Sequence, residues 1–148
     1  MPRAKPHSRE HLLDYALAEA TPAGTNTLTA ALPVGDYRFI ALDVETSCGD
    51  SASICQIGLA CVDAHNAIRT WSAYINPLMP FAPFNTELHG ISAETVRSAP
   101  TFAQIWPDLL SLLIQQPLVQ HSRFDERAIN AACKTHELTS PRLVWHDS

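Results

Sequence analysis

Two carboxylates separated by one residue, Asp43 and Glu45, follow the apolar run Phe39-Ile40-Ala41-Leu42. In a β-strand, residues i and i+2 point to the same face, about 6.5 to 7 Å apart. The two acids then stand side by side at the end of a buried strand. Neighbouring carboxylates repel one another unless a cation or a shared proton relieves the charge. Oxygen ligands of this kind suit hard cations such as Mg²⁺ or Mn²⁺. An acidic pair at a strand end is equally what the solvated start of a loop looks like, so the pair needs a further acid brought to the same place. Asp125 is the candidate, in the first turn of a helix that follows the short apolar stretch Leu118-Val119. Ser122-x-x-Asp125 also fits a capping pattern, in which the acid serves the helix N-terminus alone.

The elements that must position these residues can be placed by pattern. The first strand runs from Tyr37 to about Val44, the second from about Ile54 to Val62, and the third from about Ala67 to Ile75. The turn Asp63-Ala64-His65-Asn66 joins the last two, and Asn76-Pro77 ends the third. Short connections of this kind make an antiparallel meander. Pro77, Pro80 and Pro83 mark an extended crossing segment. A helical turn over Asn85–His89, ended by Gly90, follows, and Ser92 opens a short helix through about Val96. Thr101-x-x-Gln104 reads as a capping box. Phe102, Ile105, Trp106, Leu109, Leu110 and Leu113 then recur at helical spacing, through Pro107 and up to Pro117. A strand over Leu118–His121, a helix from about Ser122 to Lys134 and a last strand within Leu143–Ser148 complete an α/β pattern with a mixed sheet. Upstream, a helix from Ser8 to about Ala20 and a Pro/Gly/Thr-rich linker to Asp36 divide the chain into an N-terminal segment, 1–36, and a domain, 37–148.

Composition narrows the class. The chain has 148 residues and a net charge of −5, which argues against a wide basic footprint on duplex nucleic acid. It leaves room for gripping a few nucleotides at one end, where cations supply positive charge. The four cysteines, Cys48, Cys55, Cys61 and Cys133, form no CxxC pair, so zinc is not expected and reduced thiols in the cytoplasm are. No stretch is apolar for long enough to span a membrane, and no secretory signal opens the chain.

In this order the motifs resemble those of the DEDD (DnaQ-like) 3′–5′ exonucleases, which have a ribonuclease H-like fold. Asp43-Val44-Glu45-Thr46 is similar to the family's first motif, and Ile54-Cys55-Gln56-Ile57-Gly58 to its second strand. His89-Gly90-Ile91 resembles the segment before the second motif, and His121-Ser122-Arg123-Phe124-Asp125 that motif itself. The resemblance implies two divalent metal ions, Mg²⁺ or Mn²⁺, held by Asp43, Glu45 and Asp125. It implies hydrolysis of a phosphodiester at the 3′ end of single-stranded DNA or RNA, with release of nucleoside monophosphates. Thr46 is expected to contact the terminal nucleotide, with His89 and Phe124 beside it, although a satisfied histidine and a packed aromatic are the plainer readings of those two. Proofreading or repair, alongside a polymerase or another replication protein, is the function the resemblance suggests.

The chain departs from the pattern in two places. Ser122 stands where the family commonly has Asn. The third motif, a later helix with a fourth carboxylate and a histidine or tyrosine, is expected to be missing, together with the C-terminal helices. Neither His146 nor Asp147 takes its place. The alternative is therefore a catalytically inactive nuclease-like module that binds nucleic acid or a polymerase partner. An unrelated metal-dependent phosphatase is a third reading.

Overall fold

Buried and half-exposed residues alternate through β1, Phe39–Thr46, and this strand is the axis of the sheet. The computed structural model describes residues 31–139 and 142–148; the expected Ser8–Ala20 helix and most of the linker lie outside them. On one side β1 pairs antiparallel with β2, Ile54–Val62, which pairs in turn with β3, Ile68–Tyr74. On its other side β1 pairs parallel with β4, Pro117–Gln120, and β4 with β5, Val144–Asp147. The order β3-β2-β1-β4-β5 is the mixed sheet that the patterning implies, a meander extended by two parallel strands.

Three helices connect these strands among the described residues: α1, Pro83–His89; α2, Phe102–Leu113; and α3, Phe124–Thr135. Ile40 and Leu42 of β1, Ile57 and Leu59 of β2, Leu109 and Leu113 of α2, and Ala128 and Ile129 of α3 are all fully buried in one cluster. The opposite side of β1 carries Asp43 and Glu45, both half-exposed. One alternation thus separates the apolar core from the acids.

The capping box of α2 is formed. Thr101 Oγ1 accepts the Gln104 N–H at 3.3 Å, and Gln104 Oε1 accepts the Thr101 N–H at 2.9 Å. The helix continues through Pro107, and Leu112 is buried where Leu110 is only partly so. Two expectations need correction. Ser92–Val96 is a run of turns, not a helix. Ser92 and Thr95 bond to each other's backbone and hydroxyl groups, and the bonds Arg97 N–H to Glu94 O and Ala99 N–H to Val96 O close three-residue steps; such side-chain bonds compete with the helical ladder. Second, α1 starts at Pro83 rather than Asn85. Proline is favoured at a first helical position because the missing N–H has no helical partner there. Residues 31–36, within the expected linker, are tied down by a bond from Gln116 Nε2 to Gly35 O, 3.0 Å, and by Leu32 against the core.

Gly90 ends α1 with φ of +78°, and a methyl group added at its Cα would meet no heavy atom within 4 Å. Gly90→Ala should therefore destabilise the domain by about 1 kcal/mol through backbone conformation alone, as measured by urea unfolding. The thiols of Cys55 and Cys61 are pushed up to about 12 and that of Cys133 to about 11, in each case chiefly by burial. That of Cys48 is lowered, chiefly by a backbone hydrogen bond from Asp50. A disulfide reagent at neutral pH should modify Cys48 rapidly and the other three only on unfolding.

Candidate active site

Only Ile40 and Ala41 of β1 pair with β4, against Leu118 and Val119. β4 ends at Gln120, short of the register of Val44, so the N–H of Val44 has no partner in that strand. Asp125 takes it, its Oδ1 accepting at 3.0 Å. The first turn of α3 thereby delivers a third carboxylate, 3 % exposed, to the end of β1. The same bond decides between the two roles open to Asp125. The residue before α3, Arg123, gives no side-chain cap, and Ser122 Oγ accepts only the Phe124 N–H at 3.3 Å. The Ser122–Asp125 capping pattern does not form, α3 begins at Phe124, and Asp125 faces the strand.

Asp43, Glu45 and Asp125 line one cavity of about 330 Å³, together with Thr46, Asn85, Leu88, His89, His121, Ser122 and Phe124. All six residues that the sequence singles out are in this set. Burial raises the carboxyl of Asp125 to about 6. The Val44 N–H, its own N–H and a side-chain hydrogen bond with Asp43 oppose that shift, and the charge of Glu45 adds to it. Acids crowded this closely disfavour one another's ionisation, which an opposite charge would relieve.

The floor of the site is built on the carbonyl of Thr46. It accepts from Asn85 Nδ2 at 3.1 Å and from His89 Nε2 at 2.8 Å. His89 Nδ1 accepts the Ile91 N–H at 3.0 Å, so the ring proton sits on Nε2 and both nitrogens are committed. His89 is thus a satisfied histidine that fastens α1 to β1, with its ring at the cavity wall. Phe124 is half-exposed rather than packed inside. The β1–β2 register shifts between Glu45 and Thr46, and after the last pair, Thr46 with Ile54, the chain turns into the 47–53 loop. Ser53 holds that loop, donating to Asp50 O at 2.6 Å and accepting the Cys48 N–H at 3.2 Å. Sequence reasoning misses Asn85, Leu88 and His121 as members of the site. The helical turn expected over Asn85–His89 already holds the signal for the first two, since Asn85 shares a face with Leu88 and His89 at i+3 and i+4.

The donor set is one of carboxylate oxygens, and its crowded charge calls for a cation, so the residues fit a hard divalent metal. Among the described residues, no three His, Cys, Asp or Glu side chains are disposed as a finished ligand set. The acids converge on one cavity, with one oxygen of Asp125 spent on Val44.

Fold and site together define a ribonuclease H-like nuclease domain. Residues 40–145 match the RNase_T family of exonucleases, and the chain belongs to that family, whose members depend on divalent metal. It is 27% identical over 153 aligned positions to a PolC-type DNA polymerase III of Caldanaerobacter subterraneus subsp. tengcongensis, covering 97% of this chain and 11% of that protein. The chain therefore spans about a tenth of that relative's length. Among solved structures, Escherichia coli exonuclease I in complex with an oligonucleotide superposes with a TM-score of 0.63 at 16% identity, over 76% of this chain and 28% of that one. A 3′-exonuclease that recognises the 3′ end of the histone mRNA stem-loop superposes with a TM-score of 0.60 at 20% identity, over 72% and 57%. No helix among the described residues is long and apolar enough to cross a membrane.

The raised carboxyl of Asp125 has a thermodynamic consequence with a definite sign. In the unfolded chain an aspartate titrates at about 3.9; folded, it titrates at about 6. The folded state binds the proton more tightly, so the stabilisation is full below the unfolded value and is lost as pH rises through the folded one. Metal-free protein should lose on the order of 2 kcal/mol between about pH 4 and pH 7 from this group. Denaturation curves in EDTA across that range should show the slope, and Asp125→Asn should flatten it.

Proposed function

We propose that this domain removes nucleoside monophosphates from the 3′ ends of DNA or RNA by metal-dependent hydrolysis, in the manner of proofreading or repair. The observation that carries the reading is the capture of the Val44 N–H by Asp125, which brings the third acid to the pair on β1. Asp43, Glu45 and Asp125 would hold the cations, Mg²⁺ or Mn²⁺ and two in number by the resemblance. Bound there, such ions supply positive charge to the phosphate and favour ionisation of water near pH 7. The chain's own groups do the remaining work. Thr46, fixed through its carbonyl by Asn85 and His89, forms the floor against which the terminal nucleotide rests. Phe124, exposed at the rim, offers an aromatic face for stacking a base. With a net charge of −5, the surface favours contact limited to a single-stranded end over a long duplex track.

The relatives suggest the setting. One is a PolC-type polymerase, so a replication or repair protein of the cytoplasm is the natural partner, with residues 37–148 as the nuclease domain, to which residues 31–36 are fastened. A second reading, a module that binds nucleic acid ends without cutting them, is favoured by one observation: the described acids form no finished ligand set.

Incubation of the 148-residue chain with a 5′-labelled single-stranded oligonucleotide and Mn²⁺ should give a ladder of shortened products. Omission of metal should abolish it, and Asp43→Ala, Glu45→Ala and Asp125→Ala should each reduce the rate by about a thousandfold. Binding of the oligonucleotide without any ladder, in folded protein, would support the second reading.

A further inference from the structure

We propose that Gln120, at the last position of β4, is the residue that positions Asp125, by capping α3 from the strand. The inference rests on the reading of Asp125 as part of the active site. Gln120 is 1 % exposed, and every polar atom of its side chain is used. Its Oε1 accepts the N–H of Glu126 at 2.9 Å. Its Nε2 donates to Glu126 Oε1 at 3.1 Å and to Asp147 Oδ1 at 3.0 Å. The orientation of the amide follows from chemistry: a backbone N–H can meet only the oxygen, which turns the nitrogen toward the two carboxylates.

This arrangement replaces what the helix lacks. The first N–H groups of a helix have no partner within it, and a Ser, Thr, Asp or Asn at the residue before usually takes one. Here that residue is Arg123, whose side chain takes none. Gln120 supplies the missing acceptor from a different element. Because it grips the N–H adjacent to Asp125, it sets the rotation of the first turn and hence the direction of the Asp125 side chain. Asp147 lies opposite Gln120 in the β4–β5 register, and Ser148 N–H donates to the Gln120 carbonyl at 2.7 Å. The amide is therefore clamped to β5 on one side and holds α3 on the other. Through it the edge strand helps to place an acid of the site.

The test uses amide hydrogen exchange in the 148-residue chain, without metal. Gln120→Ala, and Gln120→Met as a variant that refills the buried volume, should speed exchange at Glu126 and Val44 at least about tenfold more than at Leu59 in the core strand. Leu112→Ala, a destabilised control in α2, should speed all three together. If Val44 and Glu126 exchange in step with Leu59 in both Gln120 variants, the proposal is overturned. A Mn²⁺ titration read by electron paramagnetic resonance should show affinity weakened about tenfold in the same variants; unchanged affinity would also overturn it. Failure of the wild-type chain to bind Mn²⁺ would instead overturn the metal reading, and the exchange data would still decide the role of Gln120.

Discussion

The hydrogen bond from Val44 N–H to Asp125 ties the sheet, helix α3 and the acids into one object. β4 pairs with β1 only at Ile40 and Ala41 and ends at Gln120, short of the register of Val44. A backbone N–H left without a strand partner in a buried place must find an acceptor. Asp125 is that acceptor, and accepting the bond brings its carboxylate beside Asp43 and Glu45. The carboxyl end of β1, the region where α/β sheets commonly place their sites, thus carries a backbone donor beyond the end of β4 that the following helix satisfies. Asp125 meets a structural demand and a chemical one with the same side chain, so the two roles are not competing explanations of it.

A second backbone group, the Thr46 carbonyl, does on the β2 side what the Val44 N–H does on the β4 side. The register shifts between Glu45 and Thr46, and the carbonyl takes two donors from α1. That helix buries none of its residues. Its attachment is polar: Asn85 and His89 reach Thr46, and the Ala82 N–H reaches Ser47 O at 2.8 Å. Net stabilisation from such bonds is on the order of 1 kcal/mol each, far less than a buried apolar face provides. The cavity therefore has one wall built on the core, through α3, and one wall fastened by a few hydrogen bonds.

How much of this is legible in the sequence follows from the range of each interaction. The alternation in Phe39–Thr46 and the helical spacing in α2 are local, and both elements can be read with their faces right. The acids on β1 can be read from spacing for the same reason. The role of Asp125 is not decidable locally, because its two readings differ only in whether a backbone group 81 residues away needs an acceptor. The Ser92–Val96 turns look like a helix in sequence because reciprocal hydroxyl bonds between Ser92 and Thr95 leave no periodic signature. Gln120 is invisible there: a glutamine at the end of a short strand has no pattern, and its importance comes from carboxylates 6 and 27 residues further on.

An acidic domain acting on an acidic polymer presents an electrostatic problem that the site itself resolves on the proposed reading. Three carboxylates in one cavity repel a phosphate as they repel each other. Divalent cations reverse the sign of the local field where a proton merely softens it. Metal and nucleic acid then each improve the site for the other, and by linkage the coupling is equal in both directions.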